Sequence, residues 1–333
     1  MRIVLCYVTN PSHLEQIHAV LPEADIIDAG QEHIASEIFT ADIFCGHAKV
    51  QIEWEDVVKQ GRLRWIQSSA AGMDHCLVPA VVDSDILVTS ASGALADQVG
   101  EHTIALLTAM TRSLNVFFRA QQKKEFIRRP TRDLTRSTVG IVGLGGVGRR
   151  LAQLLAPFHT RTLATDLFPV DKPDCVESLW PADRLLDMAV QVDFLVLCAP
   201  LNPSTRGMIN AEVLAHMKPG AVLANVARGP LVVEADLVAA LESGHLSGAV
   251  MDVTEQEPLP VTSKLWDMPQ VIITPHVGGQ AAWRNDNITD LFCRNLLRWQ
   301  QGLPLINFLS DKRLGFPIRG GGFPLWGEED SRQ

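Results

Sequence analysis

The sequence has no apolar run near the roughly 20 residues that a membrane-spanning helix needs, no CxxC pair, no low-complexity tract and no excess of positive charge. Each absence excludes something. Without a long apolar run, no membrane partner is expected. The six cysteines (Cys6, Cys45, Cys76, Cys175, Cys198 and Cys293) are scattered, mostly inside apolar strand-like or helical segments. That spacing supports neither a zinc site nor a disulfide framework, so free thiols in the cytoplasm and no metal are expected. A formal charge of −9 argues against nucleic acid or an anionic lipid surface as the main partner. Basic residues do gather between Lys123 and Arg136, where they read as a solvated helix end and loop. The opening stretch MRIVLCYVTNPS is too short for a signal-peptide core and turns at Asn10-Pro11, so it reads as a first strand.

What is present is apolar material in rhythm. At 333 residues and 47% hydrophobic composition, the chain exceeds one ordinary core and suggests two domains. Short apolar runs at Ile3–Val8, Ala24–Asp28, Asp42–Cys45, Leu63–Gln67 and Asp85–Thr89 predict a small parallel α/β sheet. From Asp97 the spacing becomes helical, and one long helix over Asp97–Gln122 is expected to leave the first domain for the second. A second set of strands is predicted at Val139–Gly143, Arg161–Thr165, Asp193–Cys198, Ala221–Asn225, Gly248–Val253 and Gln270–Thr274. The fold class is α/β with two doubly wound parallel sheets.

The stretch TVGIVGLGGVGRRLAQLL contains Gly143, Gly145 and Gly148 as GxGxxG between a strand and a helix. One glycine makes the tight turn, one admits a pyrophosphate to the backbone, and one lets strand and helix pack closely. Asp166 ends the next strand, about the 20 residues on at which a carboxylate meets the ribose hydroxyls of a dinucleotide. It would repel a 2′-phosphate, and Leu167 and Phe168 bring no arginine, so NAD is expected rather than NADP.

Three further stretches fall at the ends of later predicted strands. In NVARGPLVV, Arg228 precedes a Gly-Pro turn and can clamp a carboxylate or polarise a carbonyl. In MDVTEQEPLP, Asp252 ends a strand and Glu257 precedes Pro258. In TPHVGG, His276 lies between a restricting proline and two permissive glycines. Singly these are a surface ion pair, a solvated acid and a loop histidine. Together at one sheet edge they supply an anion clamp, a proton donor or acceptor, and a carboxylate to orient it.

At this point the chain resembles the D-isomer specific 2-hydroxyacid dehydrogenase family. The stretches that carry the resemblance are GIVGLGGVGRRLA, CAPLNPSTRGMI, ANVARGPLVVEADLVAALESGHLSGAVMDVTEQEPLP and LWDMPQVIITPHVGG. The resemblance implies an NAD-binding Rossmann domain (98–282) inserted into a flavodoxin-like substrate domain (1–97 and 283–333). It implies that Arg228, Glu257 and His276 are catalytic and that Asp252 contacts the nicotinamide carboxamide. Cofactor contacts are further implied at Gly143, Gly145, Gly146, Val147, Gly148, Asp166, Ala199, Pro200, Thr205, Ala227, His276 and Gly278. Substrate contacts are implied at Arg228 and in SSAAGMDH, where Ala70, Ala71 and Gly72 would offer amides to a carboxylate.

Mild departures are Gly100 where the family commonly has alanine and Thr165 before Asp166. The expected activity is reduction of small 2-oxo acids of the glyoxylate or hydroxypyruvate kind, by a homodimer. Alternatives are an NAD(H)-sensing co-repressor-like protein and a formate or phosphite dehydrogenase relative. Of the other histidines, His102, His159, His216 and His245 read as surface or packing residues, while His47 and Lys49 are secondary candidates for the substrate site. The tail GFPIRGGGFPLWGEEDSRQ reads as irregular, either wrapped over the first domain or disordered.

Overall fold

Arg2–Cys6 (β1) buries every residue after Arg2, the pattern of a strand covered on both faces of a parallel sheet. It opens the computed structural model, which describes residues 1–327. The chain continues through α1 (Pro11–Val20), β2 (Asp25–Asp28), α2 (Gly30–Glu37), β3 (Ile43–Gly46), α3 (Trp54–Gln60), β4 (Trp65–Ser68), α4 (Pro79–Val82) and β5 (Leu87–Thr89). All pairings are parallel and the order is β2-β1-β3-β4-β5, the flavodoxin-like order. β1 stops short of the predicted Val8 because Asn10 starts a helix. Its side chain accepts from His13 N, and the His13 ring accepts from Asn10 N, with Pro11 in the first turn.

The second unit spans Ala96–Gln280. It contains α5 (Ala96–Thr111), α6 (Leu114–Gln122), β6 (Thr138–Val142), α7 (Gly146–Leu155), β7 (Arg161–Asp166), β8 (Ser178–Pro181), α8 (Leu185–Ala189), β9 (Phe194–Leu197), α9 (Ala211–His216), β10 (Val222–Asn225), α10 (Glu234–Glu242), β11 (Gly248–Met251) and β12 (Val271–Ile273). The parallel sheet runs β12-β11-β10-β9-β6-β7-β8. Its order reverses between β6 and β9, and in such sheets ligands bind beyond the carboxyl ends of the strands at the reversal.

Two differences from the sequence reading have physical causes. The expected single helix over Asp97–Gln122 is two helices, with Ser113 left-handed at φ 56° between them. The Thr111 carbonyl accepts from Arg132 N at 2.9 Å instead of continuing the helical ladder. The Thr103 and Thr108 hydroxyls also bond back to the carbonyls four residues earlier, a habit that bends helices. The unanticipated strand β8 is a half-buried edge strand, so it lacks the continuous apolar run that marked the others.

From Ala281 the chain returns to the first unit. The helix α11 (Arg284–Gln300) buries Ile288, Leu291, Phe292, Cys293 and Leu296 in the same core as Ile3, Leu5 and Trp65. The tail packs on this unit as far as it is described: Trp326 N donates to Asn307 Oδ1, and Arg294 lies over the Trp326 ring. Residues 328–333 of the expected irregular tail lie outside the described residues. Among the described residues no helix is long and apolar enough to cross a membrane, and no group of three or more His, Cys, Asp or Glu could hold a metal ion.

Candidate active site

Of the three glycines of the GxGxxG pattern, the protein itself requires two and does not require the third. Gly143 sits at φ +93°, and a Cβ there would lie 2.8 Å from Ala199. A Cβ on Gly148 would lie 2.2 Å from Gly143 O, so α7 packs directly on the end of β6. At Gly145 a Cβ would meet nothing within 4 Å. Gly145 caps α7 with no side-chain hydrogen bond, so the amides of the first turn, Gly146 and Val147 among them, open onto that space. This is a cradle suited to a pyrophosphate. Gly145→Ala is compatible with the backbone (φ −74°); the entropy it removes from the unfolded chain is offset by the poorer N-cap that alanine makes, so stability should change by less than about 1 kcal/mol. Dinucleotide affinity should fall by about tenfold or more as the methyl group enters the cradle. Thermal melting and a fluorescence titration with NADH check the two parts, and unchanged affinity would contradict the assignment.

Asp166 ends β7 beside this run. Its Oδ2 accepts from Leu144 N at 2.6 Å and its Oδ1 from Phe168 N at 2.9 Å. Arg149, on the first turn of α7, donates to Leu144 O and to Asp171. After β9, Cys198 is held as a thiol, since burial pushes its pKa up to about 12. Beyond Ala199 and Pro200, Asn202 builds a turn in which Thr205 Oγ1 donates to Pro200 O at 2.7 Å.

Arg228, Asp252, Glu257 and His276 come from the carboxyl ends of β10, β11 and β12. The turn after β10 is pinned by Asn225, which accepts from Ala227 N and donates to Arg228 O. Gly229 then approaches the next loop so closely that a Cβ would fall on Thr254 O, at 1.7 Å. Thr254 N donates to Glu257 Oε1 at 3.1 Å, turning the other carboxylate oxygen, Oε2, onto His276 Nδ1 at 2.8 Å. His276 is left-handed at φ 54°, and its amide donates to Asp252 O at 2.7 Å.

The pair tunes itself. The Glu257 hydrogen bond raises the His276 pKa against burial, and the charges of Glu257 and Asp252 add to that rise while Arg228 opposes it. Burial pushes Glu257 up, but the hydrogen bond and charge of His276, the Thr254 amide and Arg228 outweigh it and leave the carboxyl below its usual range. The result is an imidazole that holds its proton more firmly than a free histidine, beside a guanidinium.

Residues 104–278 match the family model for the NAD-binding domain of D-isomer specific 2-hydroxyacid dehydrogenases. The chain belongs to this family. It is 34% identical over 287 residues to an uncharacterized protein in the proB 3′ region of Corynebacterium melassecola, covering 83% of this chain and 91% of that one. It is 33% identical over 251 residues to a glyoxylate reductase of Thermofilum pendens, covering 72% and 73% of the two chains. A D-isomer specific 2-hydroxyacid dehydrogenase from Xanthobacter autotrophicus Py2, crystallised with NADPH and MES, superimposes with a TM-score of 0.79 at 28% identity. That match covers 94% of this chain and 99% of the other. The family is one of oxidoreductases with an NAD(P)-binding domain.

Within this dehydrogenase fold the turn after β4 belongs to the first unit. Ala70 N donates to Ser68 Oγ at 3.0 Å, the same hydroxyl lies 3.3 Å from His75 Nε2, and Arg284 donates to Ser69 O. His47 stacks on His75 with ring centroids 4.0 Å apart, while Lys49 is exposed. His216 and His245 bond the backbone carbonyls of Glu212 and Met217. His102 departs from its surface or packing reading: its Nε2 lies 3.2 Å from Asp252 Oδ1 and 3.0 Å from Thr274 Oγ1. Nothing in the local sequence marks it, because its partners are 150 and 172 residues away.

Proposed function

We propose that this chain is an NAD-dependent D-2-hydroxyacid dehydrogenase that reduces small 2-oxo acids of the glyoxylate or hydroxypyruvate kind. The observation that carries the reading is the 2.8 Å pair of His276 Nδ1 and Glu257 Oε2 beside Arg228. A carboxylate only accepts, so Nδ1 carries the hydrogen of this bond and Nε2 is left for the substrate. Protonated, His276 gives the Nε2 proton to the substrate oxygen as the carbonyl becomes an alkoxide. Neutral, it takes that proton back in the reverse direction. Arg228 stabilises the growing negative charge on that oxygen and holds the substrate carboxylate. The amides of Ala70, Ala71 and Gly72 are proposed as further carboxylate donors, the Ala70 amide by exchanging its bond to Ser68 Oγ. A bound reduced nicotinamide supplies the hydride. Asp252 and the Gly278 loop would hold its carboxamide end, and the Gly143–Gly148 run with Ala199, Pro200, Thr205 and Ala227 would hold the rest.

The cofactor preference rests on Asp166. The carboxylate accepts from ribose hydroxyls and faces a 2′-phosphate with like charge, so NADH should bind at least about tenfold more tightly than NADPH. Asp166→Ala should narrow the gap. Equal binding of the two by the wild type would remove this assignment. The activity itself is tested by NADH oxidation against a panel of 2-oxo acids with short and long side chains. Turnover of the small members supports the reading, while NADH binding with silence across the panel favours the nucleotide-sensing alternative.

The protein is also proposed to be a homodimer in the cytoplasm. Phe118 and Phe126 are 59% and 97% exposed on and just after α6, with Leu114 and Ile127 beside them in sequence, an apolar surface that a second copy would cover. A monomeric mass in sedimentation would contradict this.

A further inference from the structure

We propose that His102 is a positioning residue: its Nε2–H fixes the Asp252 carboxylate and, through it, the 274–278 loop that carries His276. The inference rests on the reading of His276 as the proton donor. Asp252 is 3% exposed, and a carboxylate so buried needs its oxygens satisfied. Oδ1 accepts from Thr274 Oγ1 at 2.6 Å, from Val277 N at 3.0 Å and from His102 Nε2 at 3.2 Å, and Oδ2 accepts from Gly278 N at 2.9 Å. The Asp252 carbonyl accepts from His276 N.

Thr274, Val277 and Gly278 belong to the loop itself and move with it. His102 comes from elsewhere, from α5, whose neighbouring residues Thr103, Leu106 and Leu107 are buried. It therefore ties the loop–carboxylate cluster to a rigid element. The carboxylate has no hydrogen to give, so Nε2 must be the protonated ring nitrogen of His102. The same nitrogen lies 3.0 Å from Thr274 Oγ1, which is left to accept because its own hydrogen goes to Asp252. The loop needs an outside anchor because His276 holds a left-handed backbone at φ 54°, a conformation disfavoured for a residue with a Cβ. A small displacement there moves the imidazole off its line to the substrate oxygen, which slows proton transfer without weakening substrate capture by Arg228.

The test compares His102→Leu, His102→Gln and His102→Asn in the full chain. The Gln amide nitrogen reaches the position of histidine Nε2, whereas the Asn amide stops at the position of Nδ1. Two readouts are taken: hydrogen exchange at the Val277 and Gly278 amides without substrate, and kcat and KM with NADH and a 2-oxo acid found to turn over. Leu and Asn should speed that exchange and lower kcat, each by about tenfold, with the KM for the 2-oxo acid changed by less than about twofold. Gln should restore both toward the wild type. Packing alone would not separate Gln from Asn, so equal behaviour of the two overturns the proposal. Unchanged exchange at Val277 and Gly278 in Leu also overturns it. If the Leu variant fails to fold, the Gln and Asn pair still decides. Should the wild type reduce no 2-oxo acid, the proposed reaction falls, while the exchange readout still judges the anchoring by His102.

Discussion

Arg228→Lys is expected to lower kcat/KM for 2-oxo acid reduction by about 10²–10³-fold, the loss typical of removing one oriented donor from a developing oxyanion. The charge survives this substitution. The planar fork does not, and one ammonium cannot bond a carboxylate and a carbonyl oxygen together in fixed geometry. The substitution removes the bond from Arg228 Nη1 to Ala227 O, but the turn that presents the residue should remain, because Asn225 also bonds Ala227 N and Arg228 O. Affinity for NADH should therefore stay near that of the wild type. Steady-state kinetics and a fluorescence titration separate the two effects. A lysine variant with unchanged kcat/KM would give Arg228 a structural role.

His276→Ala is expected to remove about 10²–10⁴-fold of the reduction rate, the usual contribution of a positioned proton donor. Cofactor binding and melting temperature should change little, since the imidazole is half exposed and its hydrogen bond runs only to Glu257. The backbone bond from residue 276 to Asp252 O remains available to alanine. A loss of NADH affinity as large as the loss of rate would place His276 in cofactor binding and leave the acid unassigned.

The glycine turn after β6 was legible in the sequence because its determinants are local. Gly143, Gly145 and Gly148 lie in one short turn, and each role expected of them has a counterpart: close approach at Gly143 and Gly148, open space at Gly145. Arg228, Asp252 and His276 could be chosen because each lies within three residues of the end of a recognisable apolar run, and Glu257 because it precedes Pro258 in the loop after β11. Their mutual arrangement could not be read. Glu257 reaches His276 across 19 residues only because Thr254 N and the close passage of Gly229 fix the intervening loop. His102 was missed for the same reason, since helical periodicity says which way a residue faces but not which distant carboxylate meets it. The break at Ser113 was hidden too, because the apolar spacing continues through it while Arg132 takes the Thr111 carbonyl.

The central claim is that His276 donates a proton whose affinity Glu257 sets, and the most direct test is kcat/KM against pH for the wild type and Glu257→Gln with one good 2-oxo acid. Reduction needs protonated His276 and is lost as pH rises through its pKa. Glu257 raises that pKa by its hydrogen bond and by its charge. Glutamine has one oxygen for the two donors, so it keeps the bond from Nδ1 only by giving up that from Thr254 N, and it carries no charge; the alkaline limb of the variant should move to lower pH while the fold is retained. Superimposable profiles, under conditions where chemistry limits the rate, would contradict the account.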